Sequence, residues 1–308
     1  MNYMNSILET IGFTPLVRLN KIEKKYNLSY RLFAKIEKFN PGGSIKDRAS
    51  FYMIKGALEN GLINKDTLII EPTSGNTGVS LAMICAYYNL KLHIYMPSSC
   101  SKERIDLIKA YGGKVILTDS SLGMKGAKEK ALKEFDAISN SYMPSQFENR
   151  NNELSHYETT SKELILSLDA DIDAFICGIG TGGTIMGISK SFKDKNLKTK
   201  IIGVEPFSSP LISQNIYSSH KIQGIGANFL PDLIDKEYID EFILVKDEDA
   251  YEMTNILAKE EGILVGLSSG ASLKAGISLD KNKYKDKNVV ILLPDTGERY
   301  LSVDGLFE

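Results

Sequence analysis

The sequence predicts an α/β protein built as two doubly wound lobes. Short apolar runs rich in β-branched residues alternate with longer helical patterns, and glycine-rich turns follow several of those runs. At 308 residues the chain also exceeds what one core usually spans, since single cores stop growing near roughly 250–300 residues.

The runs at 68–70, 92–95, 115–117, 174–177, 201–204, 242–245 and 289–293 are too short for core helices and read as buried parallel strands. Helical patterns lie between them at 77–88, 102–111, 124–135, 152–168, 247–261 and 269–277. Repeated βα order makes a doubly wound architecture, with ligands expected at the carboxyl ends of strands. Two further segments, 16–19 and 31–36, are expected to pair as an extra hairpin on either lobe. The stretch 140–152, rich in Asn and Ser and holding Pro144, is the expected lobe boundary.

Composition narrows the function. With 43% apolar and 25% charged residues the chain is ordinary for a globular protein. A net charge of −2 lacks the clustered basic excess of a nucleic-acid binder, so the expected partner is a small molecule. Cys85, Cys100 and Cys177 form no CxxC pair and are odd in number, which fits a reducing compartment, by default the cytoplasm. The stretch from Met1 to Thr10 lacks a basic start followed by an apolar run, and no stretch approaches the ~18 apolar residues of a membrane span.

Four stretches carry chemistry. In Asn40-Pro41-Gly42-Gly43-Ser44-Ile45-Lys46-Asp47-Arg48 a flexible turn runs into a helix expected to start near Ser44. An amine in the first turn meets the positive end of the helix dipole, which disfavours its charged form and leaves it nucleophilic. The plainer reading is a solvated lysine beside Asp47 and Arg48. The second stretch, Glu71-Pro72-Thr73-Ser74-Gly75-Asn76-Thr77-Gly78, offers hydroxyls, an amide and free N–H groups at a helix start: a carboxylate receptor, or a polar helix cap.

The third, Gly178-Ile179-Gly180-Thr181-Gly182-Gly183-Thr184, is a phosphate cradle in which glycines allow close backbone approach. Gly178, Gly180 and Gly183 also satisfy GxGxxG, with Glu205 where a ribose-binding acid would stand, so a nicotinamide oxidoreductase is the rival reading. That rival leaves the lysine loop and the Thr73 loop unexplained. His93, His156 and His220 are scattered, with His93 expected in a strand and the other two at a helix or loop surface; no metal-ligand spacing arises. In the fourth stretch, Gly266-Leu267-Ser268-Ser269-Gly270-Ala271, small residues let a planar ring lie close and Ser268 could meet a ring nitrogen, or simply cap the helix.

Together these stretches resemble the cysteine synthase (O-acetylserine sulfhydrylase) group of fold type II pyridoxal-phosphate enzymes, a tryptophan synthase β-subunit-like fold, with cystathionine β-synthase as a near relative. The resemblance runs from Ile11-Gly12-Phe13-Thr14-Pro15-Leu16 through Gln146-Phe147-Glu148-Asn149 and Ile222-Gln223-Gly224-Ile225-Gly226-Ala227 to Pro294-Asp295-Thr296-Gly297-Glu298-Arg299-Tyr300-Leu301-Ser302. It implies that Lys46 holds pyridoxal 5'-phosphate as a Schiff base and later acts as general base, while Asn76 bonds the ring hydroxyl. It further implies that Gly180, Thr181, Gly182, Gly183 and Thr184 bind the phosphate and Ser268 meets the pyridine nitrogen. Thr73, Ser74, Asn76, Thr77 and Gln146 would bind the substrate, with Gly224 bordering its amino group.

The implied chemistry is β-elimination to a bound aminoacrylate, followed by addition of sulfide, water or another thiol at Cβ. The main reading is O-acetyl-L-serine and sulfide giving L-cysteine and acetate, with no metal. The resemblance also implies a homodimer, a smaller mobile domain at 41–148 and a larger one from 1–40 and 149–308. Two departures stand out: Asn228 where the family usually has glycine, and Arg150 where it commonly has proline. Asp232, just beyond Asn228, is a candidate to activate water, which would make the enzyme a cysteine lyase releasing sulfide and L-serine; the plainer reading is a surface loop acid. A binder that kept the fold without catalysis is the remaining class.

Overall fold

The computed structural model describes residues Tyr3–Phe307; Met1, Asn2 and Glu308, at the ends of the expected larger domain, lie outside the described residues. Its strands are β1 (Leu16–Arg18), β2 (Arg31–Ile36), β3 (Leu68–Pro72), β4 (Lys91–Pro97), β5 (Lys114–Thr118), β6 (Ser141–Tyr142), β7 (Ala174–Gly178), β8 (Lys200–Pro206), β9 (Glu241–Val245) and β10 (Asn288–Leu293). Its helices are α1 (Asn20–Lys25), α2 (Lys46–Glu59), α3 (Asn76–Tyr88), α4 (Lys102–Ala110), α5 (Gly123–Ala137), α6 (Arg150–Ser155), α7 (Ser161–Ser167), α8 (Gly183–Asp194), α9 (Leu211–Gln214), α10 (Asp247–Glu261) and α11 (Leu267–Ile277).

Among the described residues the strands form two sheets, in the orders β1-β2-β10-β7-β8-β9 and β5-β4-β3-β6. All pairings are parallel except β1 with β2, which run antiparallel at the edge of the larger sheet. The expected hairpin therefore belongs to the larger sheet, with α1 inserted between its strands.

Both sheets use one topological device. In the smaller, β3, β4 and β5 run outward in chain order and β6 doubles back beside β3; in the larger, β7, β8 and β9 run outward and β10 doubles back beside β7. The crevice beyond the carboxyl ends of strands at such a reversal is where open α/β sheets bind ligands. The strand composition follows from burial. Asn288–Leu293 of β10 is buried throughout because it sits inside the sheet with helices over both faces, which suits its unbroken Val-Val-Ile-Leu-Leu run.

Each sheet has its own core. Ile69, Leu92, Ile94 and Met96 pack with Val79, Leu81 and Ile84 of α3 around the smaller sheet. Val289, Ile291 and Leu293 pack with Leu267, Ala271 and Leu273 of α11 on one face of the larger. Phe175, Val290 and Leu292 meet Ile185, Ile188 and Phe192 of α8 on the other. The expected helix at 152–168 is broken by a π-helical turn, His156–Thr160, between α6 and α7. Gly187 of α8 lies against it so closely that an added Cβ would meet His156 Cβ at 2.8 Å. That approach seats His156 fully buried, not at the surface as the sequence suggested.

Candidate active site

A cavity of about 510 Å³ opens between the carboxyl ends of the two sheets. Six helices begin at its wall, α2, α3, α4, α5, α8 and α11, and in none does the N-cap residue's own side chain cap the N-terminus. Uncapped N-termini leave N–H groups without partners and a positive potential, so the cavity suits a ligand rich in negative charge.

Lys46 is the first residue of α2 and lines the cavity, partly buried. Its position is fixed by its neighbours. Asp47 accepts the Gly42 N–H (2.6 Å) and the Ser80 hydroxyl (2.5 Å), folding the glycine turn onto the helix start. Arg48 is buried against Glu37 (2.8 Å) and Glu163 (2.5 Å), anchoring α2 to the larger unit. Ile45 N–H donates to the Pro294 carbonyl (2.8 Å), and Thr296 N–H to that of Gly43 (3.1 Å). Burial away from water lowers the Lys46 pKa, opposed more weakly by Asp295 and Cys177. The Lys46 amine forms no salt bridge among the described residues, so this is a desolvated, available nucleophile.

The loop after β3 brings Thr73, Ser74, Asn76 and Thr77 to the cavity. The N-cap of α3 is Gly75, so these side chains are not spent on capping. Thr77 Oγ1 donates to Gln146 Oε1 (2.7 Å), joining this loop to the one after β6. Buried Glu71 holds that second loop by accepting the Ser145 N–H (3.1 Å) and the Gln146 N–H (3.5 Å), and burial raises its carboxyl to about 7. Asn76 donates to Asp295 Oδ2 (2.7 Å) and accepts from Arg299, leaving one of its amide N–H groups for a ligand.

The loop after β7 brings Gly180, Thr181, Gly182 and Thr184 to the cavity, with Gly183 starting α8 just behind. Gly182 has φ +87, open to glycine, and a Cβ on Gly180 would stand 2.5 Å from the Gly224 carbonyl oxygen. The loop is braced from behind. Asn152 Nδ2 reaches Thr181 Oγ1 (2.9 Å) and the Gln146 carbonyl (2.8 Å), while His156 Nε2 lies 3.3 Å from Thr184 Oγ1. Burial first, then nearby Arg48 and Lys46, holds His156 well below the usual imidazole pKa, hence neutral.

Ser268 lies in the first turn of α11, whose N-cap is Gly266, so it is not the cap; it lines the cavity together with Gly224. Asp232 is exposed and is not among the cavity residues. Its loop packs on the Gly182 turn through Leu233 and Ile234, and Phe229 stacks edge-on against Phe147 at 4.8 Å. Glu205 is unavailable to a ribose, since its buried carboxylate accepts the N–H groups of Ile212 (2.7 Å) and Ser213 (2.9 Å) at the start of α9. His93 pairs with Glu134 at 2.9 Å, and His220 contacts the Gly226 carbonyl at 3.0 Å. Among the described residues no His, Cys, Asp and Glu cluster could hold a metal.

Residue-by-residue reading missed Asp295, Arg299, Tyr300, Arg104, Asn152 and His156. Tyr300 donates to Asp295 Oδ2 (2.7 Å), and Arg299 also donates to the Gly42 carbonyl, so the loop after β10 ties Asn76 to the lysine turn. The only sequence signal was the run Pro294-Asp295-Thr296-Gly297-Glu298-Arg299, quoted above for its resemblance. The residues present fit pyridoxal phosphate: a glycine cradle closed to any side chain, an unpaired amine across from it, and a hydroxyl, Ser268, between small residues.

Comparison with known proteins agrees with this geometry. Residues 7–295 match the family model described as pyridoxal-phosphate dependent enzyme, and the chain belongs to that family. Cysteine synthase B of Campylobacter jejuni is 49% identical over 304 residues, 99% of each chain. A hydrogen sulfide-producing enzyme from Fusobacterium nucleatum superposes with a TM-score of 0.93 at 46% identity, covering 97% of this chain and 100% of the other. The cysteine synthase of Entamoeba histolytica gives 0.95 at 38% identity, over 98% of this chain and 90% of the other. Within the family the chain is an enzyme of the cysteine synthase type, with the fold type II architecture. The nicotinamide and silent-binder readings fall with that assignment.

Proposed function

We propose that the enzyme replaces the β-substituent of a small L-amino acid, converting O-acetyl-L-serine and sulfide to L-cysteine and acetate. The observation that carries this is the partly buried, unpaired amine of Lys46, set between a hydroxyl-rich loop and a glycine cradle. Bound pyridoxal phosphate supplies an aldehyde for the amine and an electron-withdrawing ring. Gly180, Thr181, Gly182, Gly183 and Thr184 bind its phosphate through backbone N–H groups and hydroxyls. Thr73, Ser74, Asn76, Thr77 and Gln146 orient the substrate carboxylate, with Gly224 beside the amino group, so that Cα–H faces Lys46. Lys46 Nζ is the base that would remove that proton. Ser268, a neutral hydroxyl, would meet the ring nitrogen and would leave it less protonated than a carboxylate would.

The segment 41–148 would move as a body over the larger unit during this cycle. Free Cys85, Cys100 and Cys177 support a cytoplasmic setting, the family resemblance supports a homodimer, and the net charge of −2 supports a small-molecule partner over a nucleic acid. Among the described residues no helix is long and apolar enough to cross a membrane.

Borohydride reduction of the holoenzyme tests the central claim: mass spectrometry should find the cofactor on the peptide holding Lys46, and a tag on another lysine would refute it. A second reading is sulfide release from L-cysteine with water, favoured by likeness to the Fusobacterium nucleatum enzyme. In that reading Asp232 reaches the cavity by movement of its loop, and Asp232→Asn with unchanged sulfide release removes its role. Transfer to homocysteine, cystathionine β-synthase chemistry, is decided by a mass-spectrometric product survey with L-cysteine, O-acetyl-L-serine and L-serine, each with and without sulfide and homocysteine.

A further inference from the structure

Four of the six helix N-termini around the cavity have a role in the reading above: α2 presents Lys46, α3 the carboxylate loop, α8 the phosphate cradle and α11 Ser268. Of the other two, α5 brings only Gly123 and Met124 to the cavity, while α4 brings a charged side chain that has no role yet. Its N-cap, Ser101, does not cap the helix; its hydroxyl instead accepts from Arg104 Nη1 at 3.3 Å.

Arg104, in the first turn of α4, is 5% exposed and lines the cavity together with Ser101 and Gln223. Its guanidinium lies over the Tyr300 ring at 4.9 Å, and Nη1 donates to Gln223 Oε1 at 3.0 Å. Both hydrogen-bonded acceptors are neutral, Arg104 Nε is buried with no partner, and no carboxylate is paired to the guanidinium among the described residues. Glu103 beside it turns to the Ser302 hydroxyl at 3.2 Å, and Lys102 is exposed. A buried guanidinium without a counter-ion is costly, and here an uncapped helix N-terminus adds to the same positive field.

We propose that Arg104 and the N-terminus of α4 form a subsite for a small singly charged anion, the group that leaves or enters at Cβ. This rests on the β-replacement reading, in which acetate departs and hydrosulfide arrives. Bidentate donors in a fixed plane suit a carboxylate, and the same charge attracts hydrosulfide. Gln223, which accepts from the guanidinium, adjoins Gly224, the residue that the proposed function puts beside the substrate's amino group.

The test compares holoenzyme with Arg104→Gln and Arg104→Lys. Cofactor absorption is titrated with sodium acetate and with sodium hydrosulfide, and KM is measured for O-acetyl-L-serine and for sulfide. The Gln variant should bind the anions about tenfold or more weakly, the yield of a charged hydrogen bond. Its KM for sulfide should rise in proportion while that for O-acetyl-L-serine stays within about twofold, and the Lys variant should regain most of the affinity. A loss confined to the acetate arm assigns the subsite to the leaving group, and one confined to the hydrosulfide arm to the nucleophile.

Wild-type affinities retained in the Gln variant overturn the proposal, as does a Lys variant as weak as Gln, which would mark a role in packing only. Independently of any variant, added sodium chloride should weaken acetate binding to the wild type, and salt-independent binding is equally fatal. If the wild type turns over no O-acetyl-L-serine, the reaction proposed above fails, while the two anion titrations still decide the subsite.

Discussion

The loops after β3 and β7 sit at equivalent points of the two sheets, each where a later strand doubles back, yet they are built from opposite materials. The β3 loop presents side-chain hydroxyls and an amide from Thr73, Ser74, Asn76 and Thr77, and a Cβ on its Gly75 would meet nothing within 4 Å. The β7 loop presents backbone, and a Cβ on Gly180 would strike the Gly224 carbonyl at 2.5 Å. A phosphate has oxygens enough to use many N–H groups at close range, so it selects for glycine. A carboxylate that must enter and leave with every turnover is served by a few hydroxyls, and tolerates space around them.

That contrast breaks most sharply under a single methyl group. Gly180→Ala should weaken cofactor binding by roughly 10- to 100-fold, since forcing an atom against backbone costs about 1–3 kcal/mol. The matching change Gly75→Ala should alter cofactor affinity by less than about twofold, as nothing is displaced. Fluorescence titration of apoprotein with pyridoxal phosphate reads both, and equal effects would dissolve the distinction. Removing an oxygen should reverse the ranking: Thr77→Val loses the bond to Gln146 and should raise KM for the amino acid about tenfold, with cofactor affinity unchanged.

A smaller effect concerns pH. Glu71, raised by burial from its ordinary 4.5 to about 7, favours its protonated form in the folded protein. Its stabilising contribution is full below about 4.5 and is lost as pH rises toward about 7. Denaturant titrations should therefore show that part of the decline absent in Glu71→Gln. The variant should also bind the amino acid a few-fold more weakly, because one amide oxygen replaces the two that hold Ser145 and Gln146. An unchanged pH profile would mean that the β6 loop is held by other contacts.

Much of this was legible from local chemistry. The strands at 68–70, 174–177 and 289–293 and the helices between them follow from apolar runs and periodicity, and they appear where expected with ends shifted by a few residues. The four loops were legible too, because glycine, hydroxyls and a lysine next to a helix start carry their meaning within a few residues. What stayed hidden was long-range. His156 read as surface because nothing local marks a π-helical turn forced by a glycine on another helix. Glu205 entered the rival oxidoreductase reading as a ribose-binding acid because its spacing was right, and only the fold showed its carboxylate already holding α9.

The sequence by itself determined the order of strands and helices, the site's glycine and hydroxyl loops, and the lysine at the start of α2, since each depends on backbone preferences of adjacent residues. Only the tertiary structure decided that β6 and β10 return beside β3 and β7, that Asn76 meets Asp295 and Arg299, and that Arg104 faces Gln223 and Tyr300. Those contacts join residues more than seventy positions apart, and no local preference encodes them. They exist because parallel crossovers bring the carboxyl ends of two sheets to one cavity.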